Sequence, residues 1–205
     1  MNLSRQHIRR RLKDKKVHKS TARLLLSRKM IDPQEVEPAA VLLPIYQHED
    51  DWHLIFIKRT EHDHDDHSGQ IAFPGGRVEA GDETLLDTAL REAEEEIGLK
   101  REDVEILGYS RDIVTVTHFR ITPIVGQLPW PYALDPSSTE VKKILTMPLS
   151  WLGDPDNYRM EMWTPDQGKY EPHPIIFYEP YQDEILWGAT AKMVRDFIDL
   201  LALSP

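Results

Sequence analysis

The chain has 205 residues, 40% of them hydrophobic, and a formal net charge of −10. That length suits one compact domain, or one domain with an appendage. It holds no run of ~18 uncharged apolar residues to span a bilayer, no apolar segment of a secretory signal near its charged N-terminus, and no cysteine, which excludes disulfides, thiolate metal sites and cysteine nucleophiles. A cytoplasmic location is the simplest expectation.

Charge is unevenly distributed. Residues 1–30 hold eleven Lys or Arg and one acid, Asp14, leaving 14 basic and 34 acidic side chains, a net of −20, in the other 175. A basic arm suits nucleic acid or an anionic surface. The simpler alternative is a leading helix packed on its own acidic domain, with Leu12, Leu24, Leu25 and Leu26 as apolar surface. A body this acidic repels nucleic acid, and an anionic small-molecule substrate would need a metal as intermediary.

In chain order, the arm reads as a helix through about Lys29, followed by a linker at Ile31–Pro38 broken by Asp32-Pro33. Ala39–Tyr46 is an almost continuous apolar run, as in a buried strand. Trp52–Arg59 alternates and predicts a second strand. Glu61–His67 is a polar loop, and Gly69–Phe73 a short strand ended by Pro74-Gly75-Gly76. Thr84–Ile97 is the clearest helix: Leu85, Ala89, Ala93 and Ile97 recur at helical spacing, and Gly98 stands where a C-terminal cap belongs. Val104–Val114 and Ile121–Leu128 predict further strands, while Val141–Leu149 fits either a helix or a strand. Trp151–Glu179 reads as irregular, and Ala189–Leu203 as a closing amphipathic helix. Strands with two widely separated core helices imply an α+β fold or a mixed α/β/α sandwich.

The chemistry concentrates on the 84–97 helix. At ~100° per residue, Glu95 lies about −60° and Glu96 about +40° from Glu92, so the three carboxylates share one face. Like charges this close repel, and Mg²⁺ or Mn²⁺ suits an all-oxygen site that offsets them. A solvated acidic helix face is the plain alternative. Two features favour the metal: the opposite stripe is apolar and anchors the helix, and Gly75-Gly76 lets the chain approach a metal or a phosphate closely.

The segment from Gly76 through Glu83 to Arg91-Glu92-Ala93-Glu94-Glu95-Glu96-Ile97-Gly98-Leu99 resembles the box of the Nudix hydrolase family. That box is a glycine, five residues, a glutamate, seven residues, then Arg-Glu-apolar-x-Glu-Glu-x-Gly-apolar. The second half matches in full, whereas six residues separate Gly76 from Glu83. The resemblance implies a Nudix-like α/β/α sandwich with a mixed β-sheet over residues 36–205, preceded by a basic helical arm at 1–35. It implies that Glu92, Glu95 and Glu96 bind the metal with a carbonyl of Gly75 or Gly76, and that Arg91 and Glu83 form a supporting ion pair. Metal-activated water then cleaves a diphosphate linkage, with Glu96 or a glutamate from another loop as general base.

Upstream, His67-Ser68-Gly69-Gln70-Ile71-Ala72-Phe73-Pro74-Gly75-Gly76, with Ile55-Phe56-Ile57-Lys58-Arg59-Thr60 before it, resembles a further motif of coenzyme A pyrophosphatases within that family. Thr122-Pro123-Ile124-Val125-Gly126, Glu140-Val141, Met147-Pro148-Leu149 and Trp187-Gly188-Ala189-Thr190-Ala191 extend the likeness from about residue 38 to 202. This puts Arg59, Gln70, Gly75 and Gly76 against the substrate. It implies coenzyme A or a derivative as that substrate, with 3′,5′-ADP and 4′-phosphopantetheine as products. One feature departs: the loop His62-Asp63-His64-Asp65-Asp66-His67 is acidic where the subfamily loop usually carries a basic residue. Such a tract either binds Zn²⁺ or Ni²⁺ or is a solvated loop. Glu140 is either a further metal ligand or base, or a charge at a helix N-terminus.

Two other functions stay open: a pyrophosphatase for ADP-ribose, dinucleotides or nucleotide sugars, and a non-catalytic Nudix-fold binding or regulatory module. The expected partner is a small-molecule diphosphate, with no membrane and no nucleic acid. Family members often form homodimers.

Overall fold

In the computed structural model, residues 3–12, 36–61, 69–163 and 172–202 are described. The arm past Leu12, expected to continue as a helix to about Lys29, and the His/Asp-rich tract at 62–67 both lie outside these residues.

The centre is a mixed sheet of eight strands. They are β1 (Glu37–His48), β2 (Asp51–Arg59), β3 (Ile71–Ala72), β4 (Gly75–Arg77), β5 (Glu105–Tyr109), β6 (Ile113–Val114), β7 (Phe119–Gln127) and β8 (Val141–Pro148). The main path runs β3-β2-β1-β7-β5, with β4 on β1, β6 on β7 and β8 on β2. β1 and β7 are parallel, from Glu37 opposite Phe119 to Ile45 opposite Gln127. The other pairings are antiparallel. β1 is covered on both faces, so eight consecutive residues, Ala39–Tyr46, are buried. That is why this strand reads as a continuous apolar run.

Side-chain alternation divides the core. Ala40, Leu42, Ile55 and Ile57 face α2 (Leu85–Ile97), where Ala89, Ala93 and Ile97 are fully buried. Val41, Leu43, Ile45, Leu54 and Phe56 face the opposite layer of α1 (Arg5–Leu12), α3 (Leu149–Gly153) and α4 (Gly188–Leu201). A one-residue register slip would exchange the two faces, so the pattern fixes the pairing. This is the α+β sandwich with a mixed sheet that the sequence implies.

The structure decides one open segment and differs from the sequence expectation at another. Val141–Pro148, which fits either a helix or a strand, is a strand, because it completes the sheet beside β2 with Leu54 opposite Met147 and Ile57 opposite Ile144. Trp151–Glu179, expected to be irregular, contains an antiparallel ribbon of β9 (Tyr158–Trp163) and β10 (His173–Tyr178). Non-local pairing of this kind leaves only a weak local signature.

α1 is fastened to the body. Ile8 and Leu12 are buried, Trp52 Nε1 donates to Leu3 O at 2.6 Å, and Arg5 and Arg9 reach Glu105. Arg11 Nε donates to Leu200 O, satisfying a carbonyl at the C-terminal end of α4. Gly108 leaves space for this docking: its φ is +153°, and a Cβ there would lie 2.7 Å from Leu12 Cβ. Gly108→Ala is expected to destabilise the protein by about 1–3 kcal/mol. An unchanged urea midpoint would mean that α1 does not sit on β5.

Candidate active site

The site lies where β4 meets α2. The helix is well bounded: Thr84 Oγ1 accepts from Asp87 N, and Gly98, at φ 66°, donates to the carbonyls of Ala93 and Glu94. Its apolar side is locked into the sheet, so the carboxylate side has one orientation. β4 pairs with the start of β1, with Gly76 opposite Ala40 and Gly75 opposite Val41, and this lays the glycine pair against the helix. The Pro74-Gly75-Gly76 segment, which reads as a strand end, therefore pairs in the sheet itself.

Glu96 is the most enclosed carboxylate, at 3% exposure. Gly75 N donates to its Oε2 at 2.9 Å, and Arg59 Nη1 lies 3.9 Å from Oε1. Burial pushes its pKa up to about 8; the Gly75 amide works against this and neighbouring Glu92 adds to it. Glu92 is also raised, first by burial, with Glu95 and Glu140 adding repulsion and Arg91 opposing. A cation brought to these carboxylates would offset both the burial and the mutual repulsion.

Gly75 and Gly76 fit this place for different reasons. Gly75 has φ +155°, and a Cβ on it would lie 2.4 Å from Ala40 O. A Cβ on Gly76 would lie 2.4 Å from Glu92 Oε1, so the bare backbone and the carboxylate share one space.

Arg91 ties the loop to the helix. Nε and Nη2 bind Asp82 Oδ1 and Oδ2 at 3.1 Å each, Nη2 also donates to Arg77 O at 3.1 Å, and Nη1 lies 3.1 Å from both Glu92 Oε1 and Glu95 Oε2. Asp82 also accepts from Glu79 N and Thr88 Oγ1, both at 2.9 Å. The Arg91 fork, helped by the Glu79 amide, holds Asp82 well below the usual carboxylate range despite its burial. The sequence expectation of an Arg91–Glu83 pair is therefore corrected: Asp82 takes that place. Five residues, 77–81, separate Gly76 from Asp82, so the box spacing holds and the extra residue falls after the acid. Counting five from Gly76 would have found it.

Glu140 is brought near by the 128–140 segment, whose Ser137 N donates to Glu96 O at 2.9 Å and whose Glu140 O accepts from Thr60 N at 2.9 Å. Its charge acts on both Glu92 and Glu96. The strand β8 follows it, so the helix N-terminus reading of Glu140 is corrected. Gln70 contributes a backbone contact, accepting from Arg59 N at 3.1 Å. Among the described residues, no three His, Asp or Glu side chains form a ready cation cage; Arg91 Nη1 occupies the space between Glu92 and Glu95.

Residues 36–167 match the family model of the NUDIX domain. The chain belongs to the Nudix family. It is similar to an uncharacterized Nudix hydrolase, NudL, of Enterobacter sp. (strain 638), at 35% identity over 82% of this chain and 84% of that one. The namesake in Pectobacterium atrosepticum is 32% identical over 77% and 79% of the two chains. Among solved structures, a MutT/nudix family protein from Enterococcus faecalis shares the fold, with a TM-score of 0.55 at 14% identity over 98% of this chain and 76% of that one. This Nudix chain is thus a hydrolase for a diphosphate-containing substrate. Among its described residues, no helix is long and apolar enough to cross a membrane.

The two glycines of this Nudix site are expected to fail differently. Gly75→Ala meets rigid backbone and loses about 2–4 kcal/mol of stability. Gly76→Ala meets a movable carboxylate, keeps most of its stability and loses about 10–100-fold in kcat/KM. Parallel urea melts and initial rates check this; equal loss of stability in both would refute the division.

Proposed function

We propose that this chain is a divalent-metal-dependent pyrophosphatase that cleaves coenzyme A or a derivative to 3′,5′-ADP and 4′-phosphopantetheine. The observation that carries the metal-dependent reaction is geometric: the partly buried Glu92 and the buried Glu96 gather against the bare backbone of Gly75 and Gly76, with Gly75 N donating to Glu96 Oε2 and a Cβ on Gly76 excluded by Glu92 Oε1. The donor set is all oxygen, as Mg²⁺ or Mn²⁺ requires. Glu92 and Glu96 would hold the metal with the Gly76 carbonyl, and Glu95 would join them on release from Arg91. The metal supplies charge neutralisation at the phosphates and an acidified water.

The protein's own groups do the rest. Gly75 N–H holds Glu96 in place, Gly76 keeps the backbone within reach of Glu92, and Arg91 with Asp82 fixes loop to helix. Glu140, beside both carboxylates, is available to take the proton of the attacking water. Arg59, next to Glu96, offers a cation for a phosphate oxygen.

The substrate reading is supported by the likeness of the Gly69-Gln70-Ile71-Ala72-Phe73-Pro74-Gly75-Gly76 segment to the coenzyme A pyrophosphatase motif; its Gly75 meets Glu96. The test is incubation with Mg²⁺ and coenzyme A, ADP-ribose, NADH or diadenosine polyphosphates, with products identified by mass. Release of 3′,5′-ADP from coenzyme A is the expected result. Cleavage of another member alone would overturn the substrate and keep the reaction.

A further inference from the structure

The β9–β10 ribbon stands apart from the main sheet, and two-stranded ribbons are marginal alone. One side is closed: Tyr178 N donates to Leu186 O at 2.8 Å, and Phe177 bridges to Trp187. The other side is the edge of β9, which pairs with no further strand among the described residues.

The direction of that edge follows from the ladder. Glu179 N donates to Asn157 O at 2.8 Å, and Arg159 and Glu161 stand opposite Phe177 and Ile175. By antiparallel alternation, residues 157, 159 and 161 turn their backbone groups to β10, and Tyr158, Met160 and Met162 turn theirs outward. Met160 and Met162 are also 63% and 66% exposed. Three of the usual guards are missing from this edge: β9 carries no proline and no lysine, and its register with β10 runs without a bulge. The charges it does carry, Arg159 and Glu161, are of opposite sign.

We propose that the edge of β9 pairs antiparallel with β9 of a second copy, joining two ribbons into one four-stranded sheet about a two-fold axis at Met160. Charge selects this register. Outward groups require even-numbered residues to face even-numbered residues. Centring on Arg159 sets arginine against arginine, and centring on Glu161 sets glutamate against glutamate. Centring on Met160 sets Arg159 opposite Glu161 twice, at the non-hydrogen-bonded positions where side chains approach most closely. It also sets Met160 on Met160 and Tyr158 on Met162, covering the exposed methionines. Arg159 and Glu161 already attract each other within one chain, Nε to Oε1 at 2.6 Å, and the pairing extends this into a four-charge row. A self-complementary patch is what a two-fold dimer needs.

The test is sedimentation velocity from about 1 to 200 µM, spanning the weak affinities of small interfaces. The wild type is expected to reach twice the 23.8 kDa chain mass. Met160→Pro removes one outward N–H without touching the β10 bonds, and is expected to be monomeric with unchanged hydrolysis. Arg159→Glu and Glu161→Arg are each expected to associate at least tenfold more weakly alone, and to regain dimer when mixed, because opposite charges then face each other. A wild type that stays at monomer mass, or a dimer indifferent to all three changes, would overturn the proposal.

Discussion

Glu96→Gln is expected to lower kcat by about 10²–10³-fold or more while making the metal-free protein more stable at pH 8. Both effects come from one cause. The Glu96 carboxyl has its pKa at about 8 in the fold against an ordinary 4.5. Between those values the folded protein holds a proton that the unfolded chain lacks. Its contribution is fully present below about pH 4.5 and is lost as pH rises through about 8. The metal-free wild type should therefore lose stability across that window. Glutamine, neutral at every pH, removes this slope. A gain of ~1 kcal/mol at pH 8 corresponds to roughly 2–4 °C in Tm for a chain of this size. Mg²⁺ should stabilise the wild type and leave the variant nearly unmoved, since binding requires the carboxylate and expels its proton. Thermal melts at pH 5 and 8, with and without Mg²⁺, read all of this. A parallel pH slope in both proteins would mean that Glu96 is not the titrating group.

The second large effect belongs to Arg91. Arg91→Met leaves Asp82, whose side chain is only 4% exposed, without its two-pronged partner. The expected cost is about 3 kcal/mol, with kcat falling as the 77–83 loop loses its tie to α2. Glu83→Gln is expected to change stability by less than about 0.5 kcal/mol. Asp82→Asn should remove a stabilisation that the wild type has above the ordinary aspartate pKa of 3.8 and loses as pH falls below it. Urea titrations of the three variants decide the matter. If Glu83→Gln proved as damaging as Arg91→Met, the pairing with Asp82 would be wrong.

The contrast between Asp82 and Glu83 shows what the sequence could and could not tell. The helix was legible because its signals are local: an apolar stripe at helical spacing, a Gly98 stop and three carboxylates on one face. The buried strands were legible because β1 and β2 carry their burial in their composition. The partner of Arg91 was not, since the loop's path decides which of two adjacent acids reaches the guanidinium. Nor was the paired state of Gly75–Arg77, because two glycines signal a turn and their strand geometry is imposed by β1. The β9–β10 ribbon escaped for the same reason: its order comes from pairing across fifteen or so residues, with prolines and aromatics that read locally as irregular. The proximity of Glu140 to Glu92 and Glu96 depends on the Ser137–Glu96 backbone contact, which no spacing rule encodes.

Metal dependence requires that Glu92 and Glu96 together hold the cation. The most direct measurement is calorimetric Mn²⁺ titration of the wild type and of the Glu92→Gln, Glu96→Gln double variant at pH 8. The account predicts that the wild type binds and that the variant, still folded by circular dichroism, binds at least about 100-fold more weakly. A folded double variant that bound Mn²⁺ as tightly as the wild type would contradict it.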